Sequence, residues 1–192
     1  MRVSRAQAEE NHQAVINAAS KLFREHGFDG IGLKDLMKGA GLTQGGFYKQ
    51  FASKEDLIAQ ASGRAMEMAT RRWSEAVAKN PDAPLEAVTA FYLSPEHLGE
   101  MGEGCPMVAL GADAARQGPE VRARFEVGVR EHLRMLTEMT GAAGDNQPSD
   151  KAIAALSLMV GALTLSRAVN DEALAHGLLE AAARQVRDIA AG

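Results

Sequence analysis

The chain has 192 residues, 46% of them hydrophobic and 24% charged, with six prolines and 19 glycines, a composition that excludes disordered, collagen-like and disulfide-scaffold classes. Its net charge of −4 is unevenly divided: residues 1–54 hold eight Lys and Arg against five Asp and Glu, whereas residues 55–192 hold 13 against 20. A modestly basic N-terminal quarter on an acidic body is compatible with nucleic-acid binding at one end.

Apolar residues recur at helical spacing along almost the whole chain, and no stretch sustains the period-2 alternation of a strand, so the pattern predicts an all-α fold of nine helices. The first runs from Gln7 to His26, with Val15, Ile16, Ala19, Leu22 and Phe23 on one face and Gly27 as C-cap. Leu33 to Ala40 is a short second helix, and Gly41 supplies a left-handed turn before a third, capped by Thr43 and ending at Gln50. A fourth starts at Ser53, where Ser53-Lys54-Glu55-Asp56 resembles a capping box, and extends to about Lys79. Asn80 to Pro84 breaks the chain before a helix to Leu93. Ser94 to Gly104 is expected to be a loop. Helices then follow over 106–116, 119–141, 150–170 and 172–190, with a polar connection over 141–149. On the long helix from Pro119 the apolar stripe reads Val121, Phe125, Val129, Leu133 and Leu136.

Leu33 to Phe51 has every part of a helix-turn-helix: two short helices, a glycine at the turn, and apolar anchors at Leu36, Leu42, Phe47 and Phe51. The residues left outside suit DNA. Thr43 and the backbone N–H groups of Gln44, Gly45 and Gly46 form a helix start able to take a phosphate. Gln44, Lys49 and Gln50 can read bases, and Lys34, Tyr48 and Lys54 complete the candidate DNA-binding set.

The run Gly41-Leu-Thr-Gln-Gly-Gly-Phe-Tyr-Lys-Gln-Phe-Ala-Ser-Lys-Glu-Asp-Leu57 is similar to the N-terminal signature of the TetR family of regulators, with the match covering about Ala14 to Ile58. The resemblance implies a three-helix DNA-binding domain, placed at 1–52, a six-helix effector-binding and dimerisation domain at 53–192, and repression relieved by a small molecule. Gly32 stands where the family usually has a hydroxyl cap, Met37 where a small residue is common, and Gly46 where Ser or Thr is more frequent. A glycine cap costs only a few tenths of a kcal/mol.

Helix eight carries two adjacent apolar stripes, one of Ala152, Ala155, Met159, Ala162 and Ser166, the other of Ile153, Leu156, Val160 and Leu163. Two stripes imply a second partner. The expected homodimer interface comprises Ala155, Met159, Ala162 and Ser166 with Leu174, Leu178 and Ala182 of helix nine. Two recognition helices about one DNA turn apart would match a palindromic operator. Methionines and aromatics beyond the first domain suggest an effector chamber of Met66, Trp73, Phe91, Tyr92, Met107, Leu110, Phe125 and Met159, with Cys105 at its rim before Pro106, where a helix dipole would favour a thiolate. The effector is then a small apolar or electrophilic molecule.

The competing reading is a thiol-dependent enzyme using Cys105 with His97. The five histidines are scattered, and no metal-ligand spacing, P-loop or dinucleotide fingerprint occurs, so no enzyme activity, cofactor or metal is expected. The polar first ten residues lack the apolar core of a secretory signal, one cysteine cannot close an internal disulfide, and Ala152 to Leu165 is shorter than the ~18–20 residues that span a bilayer. A cytoplasmic protein without a membrane segment is expected.

Overall fold

A computed structural model describes residues 4–141 and 147–191. The polar connection expected over 141–149 therefore falls partly on residues outside that range.

Among the described residues the chain forms nine α-helices and one 3-10 segment: α1 (Arg5–His26), α2 (Leu33–Gly39), the 3-10 segment (Gln44–Lys49), α3 (Lys54–Lys79), α4 (Pro84–Tyr92), α5 (Pro95–Gly99), α6 (Pro106–Ala115), α7 (Pro119–Met139), α8 (Asp150–Ala168) and α9 (Glu172–Ala191). Two expectations change. The third helix is a 3-10 turn, and the stretch 94–104 contains a helix, α5, because Ser94 accepts a hydrogen bond from the His97 N–H and Pro95 stands at the first helical position.

The chain divides into two compact units, one formed by residues 1–67 and 101–126 and the other by residues 68–100 and 127–192. These units follow packing, and each draws on two stretches of sequence; α3 and α7 contribute residues to both.

In the first unit, α1 starts at Ser4, whose hydroxyl accepts from the Gln7 N–H, and stops at Gly27, which has φ +75°. The turn is fixed by close approach: a Cβ on Gly30 would lie 1.9 Å from the His26 carbonyl oxygen, and one on Gly39 would lie 2.7 Å from Leu22 Cδ1. The core combines Val15, Ala19 and Phe23 of α1 with Leu36 and Met37 of α2, Phe47, and Leu57, Ala61 and Ala65 of α3, all at most 1% exposed. Helix α6 joins this core through its buried Leu110, and is tied to α1 at both ends. Arg24, a buried guanidinium, donates to the Gly104 carbonyl, and the Phe28 N–H donates to the Asp113 carboxylate.

In the second unit α8 and α9 form an antiparallel hairpin, tied at one end by Ser166 Oγ donating to the Ala175 carbonyl and at the other by Lys151 donating to that of Ala190. Ala152, Ala155, Met159, Ala162, Leu163 and Ser166 of α8 are all buried. At 19 residues α8 exceeds the apolar run read from sequence because it includes Asp150, Lys151 and Arg167. By length and composition it could cross a membrane, yet its small-residue face is buried in the chain's own packing. On α7 the buried line runs through Gly128, His132, Met135 and Leu136, whereas Val129 and Leu133, expected inside, are only half-buried. Arg167 of α8 pins α5 by donating to the carbonyls of His97, Leu98 and Glu100.

Candidate nucleic-acid interface

The surface around residues 43–50 is held out by what lies beneath it. Phe47 is fully buried and contacts the rings of Phe51 at 5.4 Å and Tyr48 at 5.0 Å, and the His12 ring of α1 stacks on Phe51 at 4.5 Å. His12 is held in turn by Gln60 Oε1 at 3.1 Å, and Gln60 donates to Asp56. Gly41 makes the turn at φ +72°, with its N–H bonded to the Lys38 carbonyl. The start of α3 closes the far side: Ser53 Oγ accepts from the Asp56 N–H, while the Asp56 carboxylate accepts from the Ala52 N–H. The expected capping box thus forms with its return bond displaced by one residue.

On this frame Lys34, Thr43, Gln44, Gly45 and Lys49 are exposed, and Tyr48 is 75% exposed. The Thr43 side chain makes no cap hydrogen bond. A Cβ on Gly45 would meet nothing within 4 Å, and one on Gly46 would meet only Met37 Cε at 3.8 Å. Neither glycine has positive φ. Folding therefore does not require glycine at 45 or 46. Their effect is to leave the backbone bare at the surface, where a phosphate or groove wall can approach.

Two of the expected DNA-contacting residues are partly engaged elsewhere. Gln50 is half-buried with Oε1 inside the protein, and Lys54 donates to the Ile31 carbonyl at 3.0 Å. Lys54 thereby holds the connection between α1 and α2, a role no local motif announces.

The residues expected to line an effector chamber divide between the units. Met66, Cys105, Leu110 and Phe125 are buried and Met107 half-buried in the first; Trp73, Tyr92 and Met159 are buried and Phe91 half-buried in the second. Cys105 is 3% exposed at the N-cap of α6. In the second unit Trp73 stands edge-on to both Tyr92, at 5.8 Å, and His132, at 4.6 Å. Phe91 lies under the Arg72 guanidinium and stacks on His97, whose Nδ1 donates to the Tyr92 carbonyl. Burial pushes the pKa of His97 and of His132 below the ordinary imidazole value. His132 was not among the expected chamber residues, although its spacing from Phe125, Gly128 and Leu136 puts it on the buried line of α7.

Of the expected dimer residues, Ala155, Met159, Ala162, Ser166 and Ala182 are covered within the single chain, Leu178 is half-buried and Leu174 is 51% exposed. The apolar side chains that α8 and α9 turn outward are Ile153, Leu165 and Leu174, each about half exposed. Periodicity gave α8 two apolar faces, and the small-residue face expected to meet a partner is covered by the chain's own packing.

Residues 15–61 match the family model described as bacterial regulatory proteins, tetR family. The HTH-type transcriptional regulator LmrA of Bacillus subtilis (strain 168) is 25% identical over 174 residues, which span 87% of this chain and 92% of LmrA. The HTH-type transcriptional repressor NemR of Escherichia coli (strain K12) is 23% identical over 184 residues, with the same coverage. The crystal structure of E. coli NemR in its reduced form shares the fold with a TM-score of 0.75 at 21% identity, covering 93% of this chain and 96% of that one. AibR, solved in complex with isovaleryl coenzyme A and operator DNA, shares the fold at a TM-score of 0.58 and 18% identity, covering 89% and 97%. An exposed polar surface on a buried aromatic frame falls inside the segment, residues 15–61, that matches the tetR family model, and the relatives that align over most of the chain are transcriptional regulators.

Proposed function

We propose that this regulator is a cytoplasmic homodimeric repressor that grips a palindromic operator with residues 1–52 and is released by a small apolar or electrophilic effector bound within residues 53–192. The observation that carries the DNA half is the surface of Thr43, Gln44, Gly45, Tyr48 and Lys49, which packing leaves exposed, with Gly46 half-buried beside them and neither glycine required by its backbone conformation. Thr43, Tyr48, Lys34 and Lys54 contact phosphates and fix register; Gln44 and Lys49 read bases, with Gln50 adding its amide nitrogen. AibR, solved with isovaleryl coenzyme A and operator DNA in one complex, supports the pairing of a small molecule with DNA in this fold.

The second copy covers Ile153, Leu165 and Leu174, the large apolar side chains of α8 and α9 that the single chain leaves about half exposed. The aromatic cluster around Trp73 supports the effector half, and Cys105 at a helix start supports an electrophile as one class of effector.

The test is binding of the purified protein to the DNA upstream of its own and the adjacent gene, followed by fluorescence anisotropy across salt concentrations and by sedimentation. Two chains per site, and affinity that falls steeply between 50 and 200 mM salt, are expected. One chain per site, or no salt-dependent complex with either region, would overturn the reading.

A further inference from the structure

His132 is 0% exposed. Its Nδ1 lies 2.7 Å from the Gly128 carbonyl oxygen, one turn back on α7. That oxygen can only accept, so the proton is on Nδ1 and Nε2 is left as a lone-pair acceptor. Nε2 is buried and has no protein hydrogen-bond partner. Such groups are rare in folded proteins and costly to keep, and an aliphatic side chain would fill the same place without the penalty. The Thr89 hydroxyl, one turn before Tyr92 on α4, is also buried without a protein partner. The surroundings are aromatic, with the Trp73 ring 4.6 Å from the imidazole at 83° and the Tyr92 ring 5.8 Å from that of Trp73 at 90°. The neighbouring cations have other work: Arg72 pairs with Glu100 at 2.6 Å, and Arg167 holds the carbonyls at the end of α5.

We propose that the interior of this second unit is a ligand site in which Nε2 of His132 accepts a hydrogen bond from the effector, so that the effector class is an uncharged apolar molecule with one hydroxyl or N–H group. The inference rests on the effector reading above and narrows it. With Arg72 and Arg167 engaged in this way, neither is free to pair with an effector carboxylate. A donor atom about 2.8 Å from Nε2 sits within a few ångström of the indole. Trp73 is the chain's single tryptophan, so its emission reports occupancy.

The experiment titrates the full-length protein with cyclohexylmethanol and with its methyl ether, two probes of one shape of which only the first donates a hydrogen bond. Trp73 emission and Tm are followed, together with the imidazole 15N shift of His132. The alcohol is expected to bind about tenfold more tightly than the ether, to move the Nε2 resonance, and to lose its advantage in His132→Phe. His132→Gln, which retains an acceptor, keeps part of it. If the phenylalanine variant does not fold, the Nε2 shift in the unaltered protein decides the matter. Equal binding of alcohol and ether overturns the anchor and leaves an apolar chamber standing. A preference that survives His132→Phe, or an unmoved Nε2 on saturation with the alcohol, also overturns the anchor. Failure of both probes to bind overturns anchor and chamber together.

Discussion

The helix-turn-helix and the interior of the second unit place their polar groups in opposite ways. Around residues 33–51 most polar side chains are exposed while Leu36, Met37, Phe47 and Phe51 are buried, with Tyr48 the aromatic exception outside and Gln50 the polar one partly inside. Within the second unit His97 and His132 are buried, and Arg167 reaches across to backbone carbonyls of α5. The first arrangement makes a fixed surface to be read by a large polyanion. The second makes an interior with hydrogen-bonding capacity for something small. Rigidity serves the first, since recognition depends on side chains held at set spacing; the second is suited to accommodating a guest.

The largest effect follows from removing the frame of the reading surface. Phe47→Ala deletes a fully buried ring that touches Tyr48 and Phe51, and should cost about 3–5 kcal/mol of stability. In chemical denaturation the midpoint should fall sharply, with DNA binding lost in parallel. Retention of native stability in Phe47→Ala would mean that the surface is not held from below, and the contrast between the two regions would lose its basis.

Paired glycine substitutions sharpen the contrast at smaller magnitude. A Cβ on Gly30 would collide with the His26 backbone, so Gly30→Ala should destabilise by about 1–3 kcal/mol. At Gly45 the space is open, and Gly45→Ala should leave the melting temperature unchanged or slightly raised. Its DNA affinity should nevertheless fall several-fold, because the methyl group stands where the backbone meets the phosphate or groove wall. Unchanged anisotropy-measured affinity in Gly45→Ala would remove the glycine pair from the interface.

The same contrast explains what the sequence made legible. The order of the helices apart from α5, the turn at Gly41 and the exposed residues Thr43, Gln44, Gly45, Tyr48 and Lys49 follow from local rules, because the partners of each residue lie within one helix or one turn. Lys54, Arg24 and Arg167 instead bond to carbonyls 23, 80 and about 70 residues away, and no periodicity carries that information. The short helix α5 was hidden by a segment whose glycines at 99, 102 and 104 read as loop, although Ser94-Pro95 is a helix start in its own right. On α8 both faces are apolar, so hydrophobicity alone assigned Ala155 to a partner although the chain buries it and exposes Leu165, a residue on neither stripe. His132 was passed over because the stripe read on this helix ran through Val129 and Leu133, which the fold leaves half-buried, and only its missing Nε2 partner distinguishes it from an ordinary core histidine.

The smallest expected effect is on pH, and it should fall on one region. Burial lowers the pKa of His97 and His132 below the ordinary value, so both are neutral in the folded protein while the unfolded chain titrates near 6.5. As pH falls through about 6.5 the unfolded state binds protons that the folded state refuses. Stability is therefore complete above that pH and declines on acidification until the folded groups protonate. The carboxylates with shifted values, Glu55 and Glu131, are lowered and act only below about pH 4.5, which separates them from the histidine window. Tm should drop between pH 7.5 and 5.5, and hydrogen exchange should show α4 and the second half of α7 loosening before α1 and α2. His132→Phe should flatten the decline. Equal loosening of α1 and α2 at pH 5.5 would show that the acid-sensitive groups are not confined to the effector side, and the division between a rigid reading surface and a polar, responsive interior would fail with it.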